Sequence, residues 1–241
     1  MPADFGPIYT ETQLGRFPVE PWNTASNFAF LVIIIYFGWL TRFDVRRFPF
    51  LSLTIPILGV GFIGGTLFHA TRVHKIWLYL DFIPIFVLAV SSALFFWLKI
   101  ISSKLWACLA CILTLLAPRL LIFSLGVPRG LRISLGYTAL AVAILLPAVL
   151  AIRARSWQNL RWLLGSVIAF SAAITFRILD RHAADGPLAE LFPMGTHFLW
   201  HLFGALSVYC MMRVVYEMEA NRGTEKIGLE KVNTTFSGSA R

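Results

Sequence analysis

The sequence predicts an all-α, polytopic membrane protein built as a seven-transmembrane helix bundle. Hydrophobic residues make up 58% of the 241 residues and charged residues only 14%, whereas a soluble domain carries about 25% charged residues. Apolar runs recur along the chain at the length of about 20 residues that a helix needs to cross a bilayer. The short alternating segments of a membrane β-barrel are not seen, and open strand edges are not tolerated against lipid.

Seven apolar runs define the predicted spans, each bounded by polar or charged residues. They cover residues 24–40, 50–70, 77–98, 105–124, 133–152, 160–179 and 194–215. The fourth run is the least regular because Pro118 and Arg119 interrupt it. We therefore predict a polar N-terminal segment (1–23), a seven-helix membrane domain (24–216) and a flexible, charged tail (217–241).

The distribution of Lys and Arg predicts the orientation of the bundle. An odd number of spans places the termini on opposite sides of the membrane. Thirteen Lys and Arg residues fall on the side of the loops after runs one, three and five and of the C-terminal tail, against eight on the other side. The positive-inside rule then places the C-terminus in the cytoplasm and the N-terminus outside. The net charge of +9 is thus interpreted as contact with bilayer lipid, and no nucleic-acid partner is predicted.

Four ionisable side chains within the apolar runs are predicted to lie at one depth. His69 ends the second run, Asp81 lies near the start of the third, and His197 and His201 begin the seventh. Since successive spans run in opposite directions, all four fall near the extracytoplasmic face. His197 and His201 are four residues apart, which places them on one helical face. Ionisable groups inside membranes are costly and often functional.

Three histidines at one depth favour a metal site. Three neutral imidazoles and one open position form a catalytic-type zinc site, which activates water near neutral pH and polarises a carbonyl. A neighbouring carboxylate such as that of Asp81 orients a ligand or the water. The alternative is that these side chains only form hydrogen bonds within the bundle.

Two further residues are candidates for lining a lipid substrate. Asp180 lies beside Arg177 and Arg181, so that it either forms a local ion pair or contributes a polar wall for a headgroup. Trp200 lies between the paired histidines and is the aromatic candidate for the lining.

The sequence resembles the alkaline ceramidase family, part of a superfamily of seven-span hydrolases and receptors that includes adiponectin-receptor-like proteins. The resemblance is carried by FHAT at 68–71, LD at 80–81, HFLWH at 197–201 and EPWNTASN at 20–27. It implies a zinc-dependent amidase that hydrolyses ceramide to a sphingoid base and a fatty acid. His69, His197 and His201 would be the zinc ligands, and Asp81 the catalytic acidic residue.

The resemblance also implies a calcium site in the N-terminal segment, formed by Glu11, Gln13 and Glu20. Calcium prefers six to eight oxygen ligands, and the family's Asp and Trp before the first of these are replaced by Ile8 and Tyr9. Where the family has a serine four residues before the first histidine, this chain has Gly65. Thr66, the next residue, is the candidate for the catalytic hydroxyl.

We therefore predict an intramembrane zinc-dependent hydrolase that cleaves the amide bond of ceramide or a related N-acyl lipid. The alternative is a non-catalytic receptor-like or scaffold protein that retains a structural zinc site. A retinal protein is disfavoured because residues 194–215 contain no lysine for a Schiff base. The protein is expected to be a multi-pass protein of the plasma membrane or an endomembrane.

Overall fold

The computed structural model describes residues 6–180 and 187–221. Helices dominate these two ranges, and neither of them contains a β-strand. The helices are α1 (Pro21–Ser26), α2 (Phe28–Thr41), α3 (Pro49–Thr71), α4 (Lys75–Ile100), α5 (Lys104–Ser124), α6 (Arg129–Arg153), α7 (Leu160–Leu179), α8 (Pro187–Leu191) and α9 (His197–Ala220). The all-α fold class is confirmed.

The seven predicted spans correspond to seven helical segments that are long and apolar enough to cross a membrane. The first is Pro21–Thr41, which combines α1 and α2. Pro118 does not interrupt the fourth, because α5 continues to Ser124. The last begins at His197 and ends at Ala220, a few residues later at each end than predicted. Most of the predicted tail, residues 222–241, lies outside the described residues.

Proline and left-handed residues account for several helix boundaries. Pro21 and Pro49 occupy the first turns of α1 and α3, where the missing N–H costs no hydrogen bond. Arg42 and Arg72 follow α2 and α3 with φ values of 50° and 49°, the left-handed conformation that commonly ends a helix. The loop after α3 is therefore short, and α4 starts at Lys75, so that His69 lies close to the N-terminal end of α4.

The bundle has a different character at its two ends. Close packing pairs α3 with α4, α7 with α9, and α4 with α6, while α9 also contacts α1, α2 and α3. The apolar core lies at the end where α3 and α7 begin and α9 finishes, with Leu51, Phe96, Ile152, Leu163 and Met218 among its buried members. The three membrane histidines lie at the other end, where α3 finishes and α9 begins.

Carboxylates from distant segments satisfy the first N–H groups of three helices. The N–H groups of Phe50 and Leu51 in α3 donate to the two carboxylate oxygens of Glu219, at 2.9 and 3.2 Å. The carboxylates of Glu11 and Asp180 accept hydrogen bonds from the corresponding N–H groups of α1 and α9. An anion at a helix N-terminus also interacts favourably with the helix dipole, so these contacts link the ends of helices that are remote in sequence.

Candidate metal centre

Three buried histidines converge at one end of the bundle. His69 comes from the last turn of α3, while His197 and His201 come from the first two turns of α9. Their ring centroids are 4.8 to 5.6 Å apart, and one ligand atom of each lies within 4.8 Å of the others. Among residues 6–180 and 187–221, this is the only such group of three or more His, Cys, Asp or Glu side chains. It could hold a metal ion.

The hydrogen bonds of His69 leave one ring nitrogen available. Nδ1 of His69 lies 2.5 Å from Oε2 of Glu20 and donates its hydrogen to that carboxylate. Nε2 is buried without a hydrogen-bond partner in the described chain. A buried nitrogen without a partner costs free energy, and a metal ion would satisfy it. A carboxylate on the opposite nitrogen is the usual arrangement around a metal-binding histidine.

His201 is held by hydrogen bonds, whereas His197 is held by ring stacking. Nδ1 of His201 donates to the carbonyl of Asn23, at 3.1 Å, and lies 2.7 Å from Oγ of Ser26. Because the carbonyl can only accept, Nδ1 carries the hydrogen and Nε2 remains available as a ligand. Nδ1 of His197 is buried without a partner in the described ranges. The ring of His197 stacks on Tyr9, with centroids 3.7 Å apart.

Glu20 is the centre of a buried hydrogen-bond network. Its Oε1 accepts from Thr12 Oγ1 at 2.7 Å and from Arg72 Nη1 at 2.6 Å, and its Oε2 accepts from Asn23 Nδ2 at 3.1 Å and from His69. Both Glu20 and Arg72 are 0% exposed. Burial alone would raise the pKa of Glu20, but the hydrogen bonds from His69 and its neighbours hold that pKa at about 2. The carboxylate is therefore ionised, and each of its oxygens already accepts two hydrogen bonds.

The three residues of the predicted calcium site do not form a set of free oxygen ligands. The Glu11 carboxylate accepts the N–H groups of Trp22 and Asn23, at 2.5 and 2.9 Å, while Gln13 is exposed. Burial raises the pKa of Glu11, while these hydrogen bonds oppose the rise. Glu20 already has a cationic partner, the Arg72 guanidinium. The described residues thus give a calcium site no support.

Asp81 of α4 occupies the space beside Gly65, which lies one turn before His69 in α3. A Cβ atom on Gly65 would lie 2.5 Å from Oδ1 of Asp81 and 3.2 Å from Oδ1 of Asn27. Asp81 also interacts electrostatically with His69. The carboxylate therefore approaches the α3 backbone only because residue 65 has no side chain. Thr66 has a buried Oγ1 without a hydrogen-bond partner in the described chain, and its catalytic role stays a prediction.

Asp180 is engaged by backbone groups. Its Oδ1 accepts the N–H groups of Thr196 and His197, at 2.8 and 3.0 Å, and its Oδ2 lies 3.4 Å from the N–H of Thr10. Burial raises the pKa of Asp180, while these hydrogen bonds oppose the shift. Asp180 thus fixes the start of α9 and the N-terminal segment together. These contacts do not support the predicted role in a substrate wall.

Trp200 lies in an aromatic group next to the triad. Its ring contacts Tyr137, with centroids 5.1 Å apart, and the guanidinium of Arg177 lies 5.1 Å from its centroid. Sequence reasoning overlooked Tyr137 and Arg72, and it considered Arg177 only as an ion-pair neighbour of Asp180. The signal for the two arginines was their place at the ends of apolar runs, beside the predicted site.

The fold and site together define an integral multi-pass membrane protein with a candidate metal centre of three buried histidines. A sequence model of the family described as Ceramidase matches residues 13–233, most of the chain. The chain belongs to the ceramidase family, as the motif resemblance predicted, and membership implies a hydrolase. No curated protein sequence matches the chain significantly.

Proposed function

We propose that this protein is an intramembrane zinc-dependent amidohydrolase that cleaves the amide bond of ceramide or a related N-acyl lipid. The products would be a free fatty acid and an amine, the sphingoid base. The observation that carries the proposal is the set of three buried histidines whose unpartnered nitrogens include His69 Nε2 and His197 Nδ1. Family membership supports the choice of substrate.

The donor set fits zinc. His69, His197 and His201 would hold the ion, since three imidazole nitrogens with an open fourth position are a common ligand set of catalytic zinc. When bound, Zn²⁺ supplies Lewis acidity that polarises a carbonyl and makes water nucleophilic near neutral pH. Glu20 and the Asn23 carbonyl fix the rings of His69 and His201, with the hydrogen on Nδ1 in each case.

Asp81 is the proposed proton carrier of the reaction. Its Oδ1 would accept a proton from the attacking water and return it to the leaving nitrogen. The amide C–N bond breaks, the hydroxyl group of water joins the acyl carbon, and the proton carried by Asp81 joins the leaving nitrogen. The approach of Asp81 to Gly65 supports this role because it brings the carboxylate within one helical turn of His69.

We also propose that the reaction takes place near the extracytoplasmic face, with the N-terminus outside and the C-terminal tail in the cytoplasm. The support is the excess of Lys and Arg on the side of the tail. A membrane-impermeant label on a cysteine introduced at exposed Gln13 in intact cells tests the orientation. Labelling only after lysis, for protein located in the plasma membrane, would contradict it.

The direct test of the activity is release of fatty acid from labelled N-acyl sphingosine by the purified, zinc-loaded protein. Asp81→Asn is expected to reduce turnover roughly 10²- to 10⁴-fold while the zinc content stays unchanged. Asp44→Asn is the control, because Asp44 is an exposed loop residue whose carboxylate accepts the N–H groups of Arg46 and Arg47. Full zinc occupancy without release from any N-acyl lipid would favour the receptor-like alternative.

A further inference from the structure

Arg177, in the last turn of α7, is held between two aromatic rings. Its Cζ lies 5.0 Å from the ring centroid of Tyr137 in α6 and 5.1 Å from that of Trp200 in α9. The two rings also contact each other. Cation–π contacts of this kind fix the position of a guanidinium without using any of its five N–H donors. Three helices thus contribute to the placement of one positive charge.

The described part of the chain offers no partner to the donors of this guanidinium. Within residues 6–180 and 187–221, Arg177 makes no hydrogen bond and no ion pair, and its Nε is buried without a partner. The adjacent carboxylate of Asp180 is already occupied by the N–H groups of Thr196 and His197. A buried N–H without a partner is costly, so a ligand that accepts from Nε and from the half-buried end of this guanidinium would be bound favourably.

The charge lies beside the histidine triad. Its stacking partner Trp200 directly precedes His201 in α9. The carbonyl of Phe176, the residue before Arg177, accepts a hydrogen bond at 2.7 Å from Oγ1 of Thr196, the residue before His197. Any group bound by Arg177 would therefore be close to the reacting end of a lipid in the candidate centre.

We propose that Arg177, framed by Tyr137 and Trp200, forms an anion-binding subsite for a lipid carboxylate or phosphate next to the triad. The planar guanidinium matches either oxyanion with two parallel hydrogen bonds. The carboxylate would come from the fatty acid released by the proposed function, and the phosphate from a lipid headgroup. The subsite itself rests on the contacts of Arg177, and only its use by a reaction product rests on the proposed function.

Binding to the full-length, zinc-loaded protein in an uncharged detergent tests the subsite without any need for turnover. The probes are oleate, oleyl alcohol and an oleoyl lysolipid with a phosphate monoester headgroup. Binding of each probe is measured as the shift in the unfolding temperature of the protein and as the apparent Kd. The variants are Arg177→Met and Arg177→Lys. Arg161→Met is the matched control, because Arg161 also stacks on a tryptophan, Trp162, but lies at the other end of α7.

Oleate or the phosphate lipid is expected to bind the wild type and the Arg161→Met variant more tightly than oleyl alcohol does. Arg177→Met should weaken that binding roughly 10- to 100-fold, as expected for charge-assisted hydrogen bonds, and Arg177→Lys should weaken it less. The anion that binds more tightly identifies the source of the ligand. If Arg177→Met unfolds, the comparison of wild type with Arg177→Lys still decides.

Three results would overturn the subsite. The first is that oleyl alcohol binds as tightly as both anions. The second is that the binding of neither anion depends on Arg177. The third is that anion binding persists in Arg177→Met and disappears only on zinc removal, which would place the anion on the metal. Arg177-dependent binding without hydrolysis of any N-acyl lipid would support the subsite and contradict the proposed function.

Discussion

At the residue scale, Gly65 determines how closely α4 approaches the triad. The ceramidase family has a serine at this position, where this chain has a glycine. The structure instead places a carboxylate oxygen of Asp81 and the carboxamide of Asn27 in the space that a side chain there would occupy. A side chain at position 65 would therefore require the Asp81 carboxylate to shift from this position.

Substitutions at Gly65 test this interpretation. Gly65→Ala and Gly65→Ser are expected to push Asp81 away and to reduce kcat by about 10²-fold, the effect of displacing a catalytic group by about 1 Å. Zinc content should not change. Gly59→Ala, in the same helix, is the control because a Cβ there meets no atom within 4 Å. A Gly65→Ser variant as active as the wild type would show that Asp81 is not positioned in this way.

Arg72 gives Glu20 a buried cationic partner. Its guanidinium pairs with Glu20 and donates to the carbonyl of Pro7, with both terminal nitrogens 3.1 Å away. A divalent cation beside Glu20 would meet this existing positive charge. We therefore expect that neither added Ca²⁺ nor a calcium-selective chelator changes the unfolding temperature or the activity of the wild type.

The same contacts predict a large effect of removing the arginine. Arg72→Met should cost about 3–5 kcal/mol of stability, because it leaves a buried carboxylate without its cationic partner. Arg16→Met is a suitable control, since Arg16 is exposed and reaches the backbone only through long hydrogen bonds of 3.4 and 3.5 Å. A calcium-dependent rise in the unfolding temperature of the wild type would refute this account of Arg72.

At the element scale, α9 is attached to the bundle at both ends by carboxylates. Asp180 accepts the first N–H groups of α9, whereas Glu219, near its other end, accepts those of α3. The two contacts are about 33 Å apart, at 1.5 Å per residue along the helix. They should therefore affect stability alike and the metal centre differently.

Paired substitutions separate these two effects. Glu219→Gln and Asp180→Asn should each cost about 1–2 kcal/mol, the usual cost of losing a helix cap. Only Asp180→Asn should also weaken zinc binding, because Asp180 fixes the backbone N–H of His197. Thermal unfolding and metal titration of the two variants provide the comparison. Equal zinc affinities would mean that the start of α9 is held by other contacts.

At the scale of the whole molecule, the apolar core and the triad occupy opposite ends of the bundle. Zinc removal is therefore expected to lower the unfolding temperature without loss of helicity, because the core does not depend on the metal. His201→Ala should abolish this response to chelation. Thermal unfolding followed by circular dichroism, with and without chelator, measures both quantities. Collapse of the helical signal on chelation would contradict this division.

The sequence was sufficient to predict the seven spans and the common depth of the histidines. Apolar runs determine which segments can be helices in lipid, and alternation of direction determines which of their ends meet. It was not sufficient for Glu20, which was assigned to calcium although it contacts His69, 49 residues away. Nor did it predict the contact of Asp81 with Gly65. Both depend on how closely two helices approach, which composition does not encode.

The triad also has a consequence for the order of events during synthesis. His69 belongs to the second membrane span, whereas His197 and His201 belong to the seventh. A growing chain therefore holds a single ligand while five further spans are still being made. An ion held by all three histidines could be captured only after α9 has inserted, so that activity dependent on it would begin with the completed bundle.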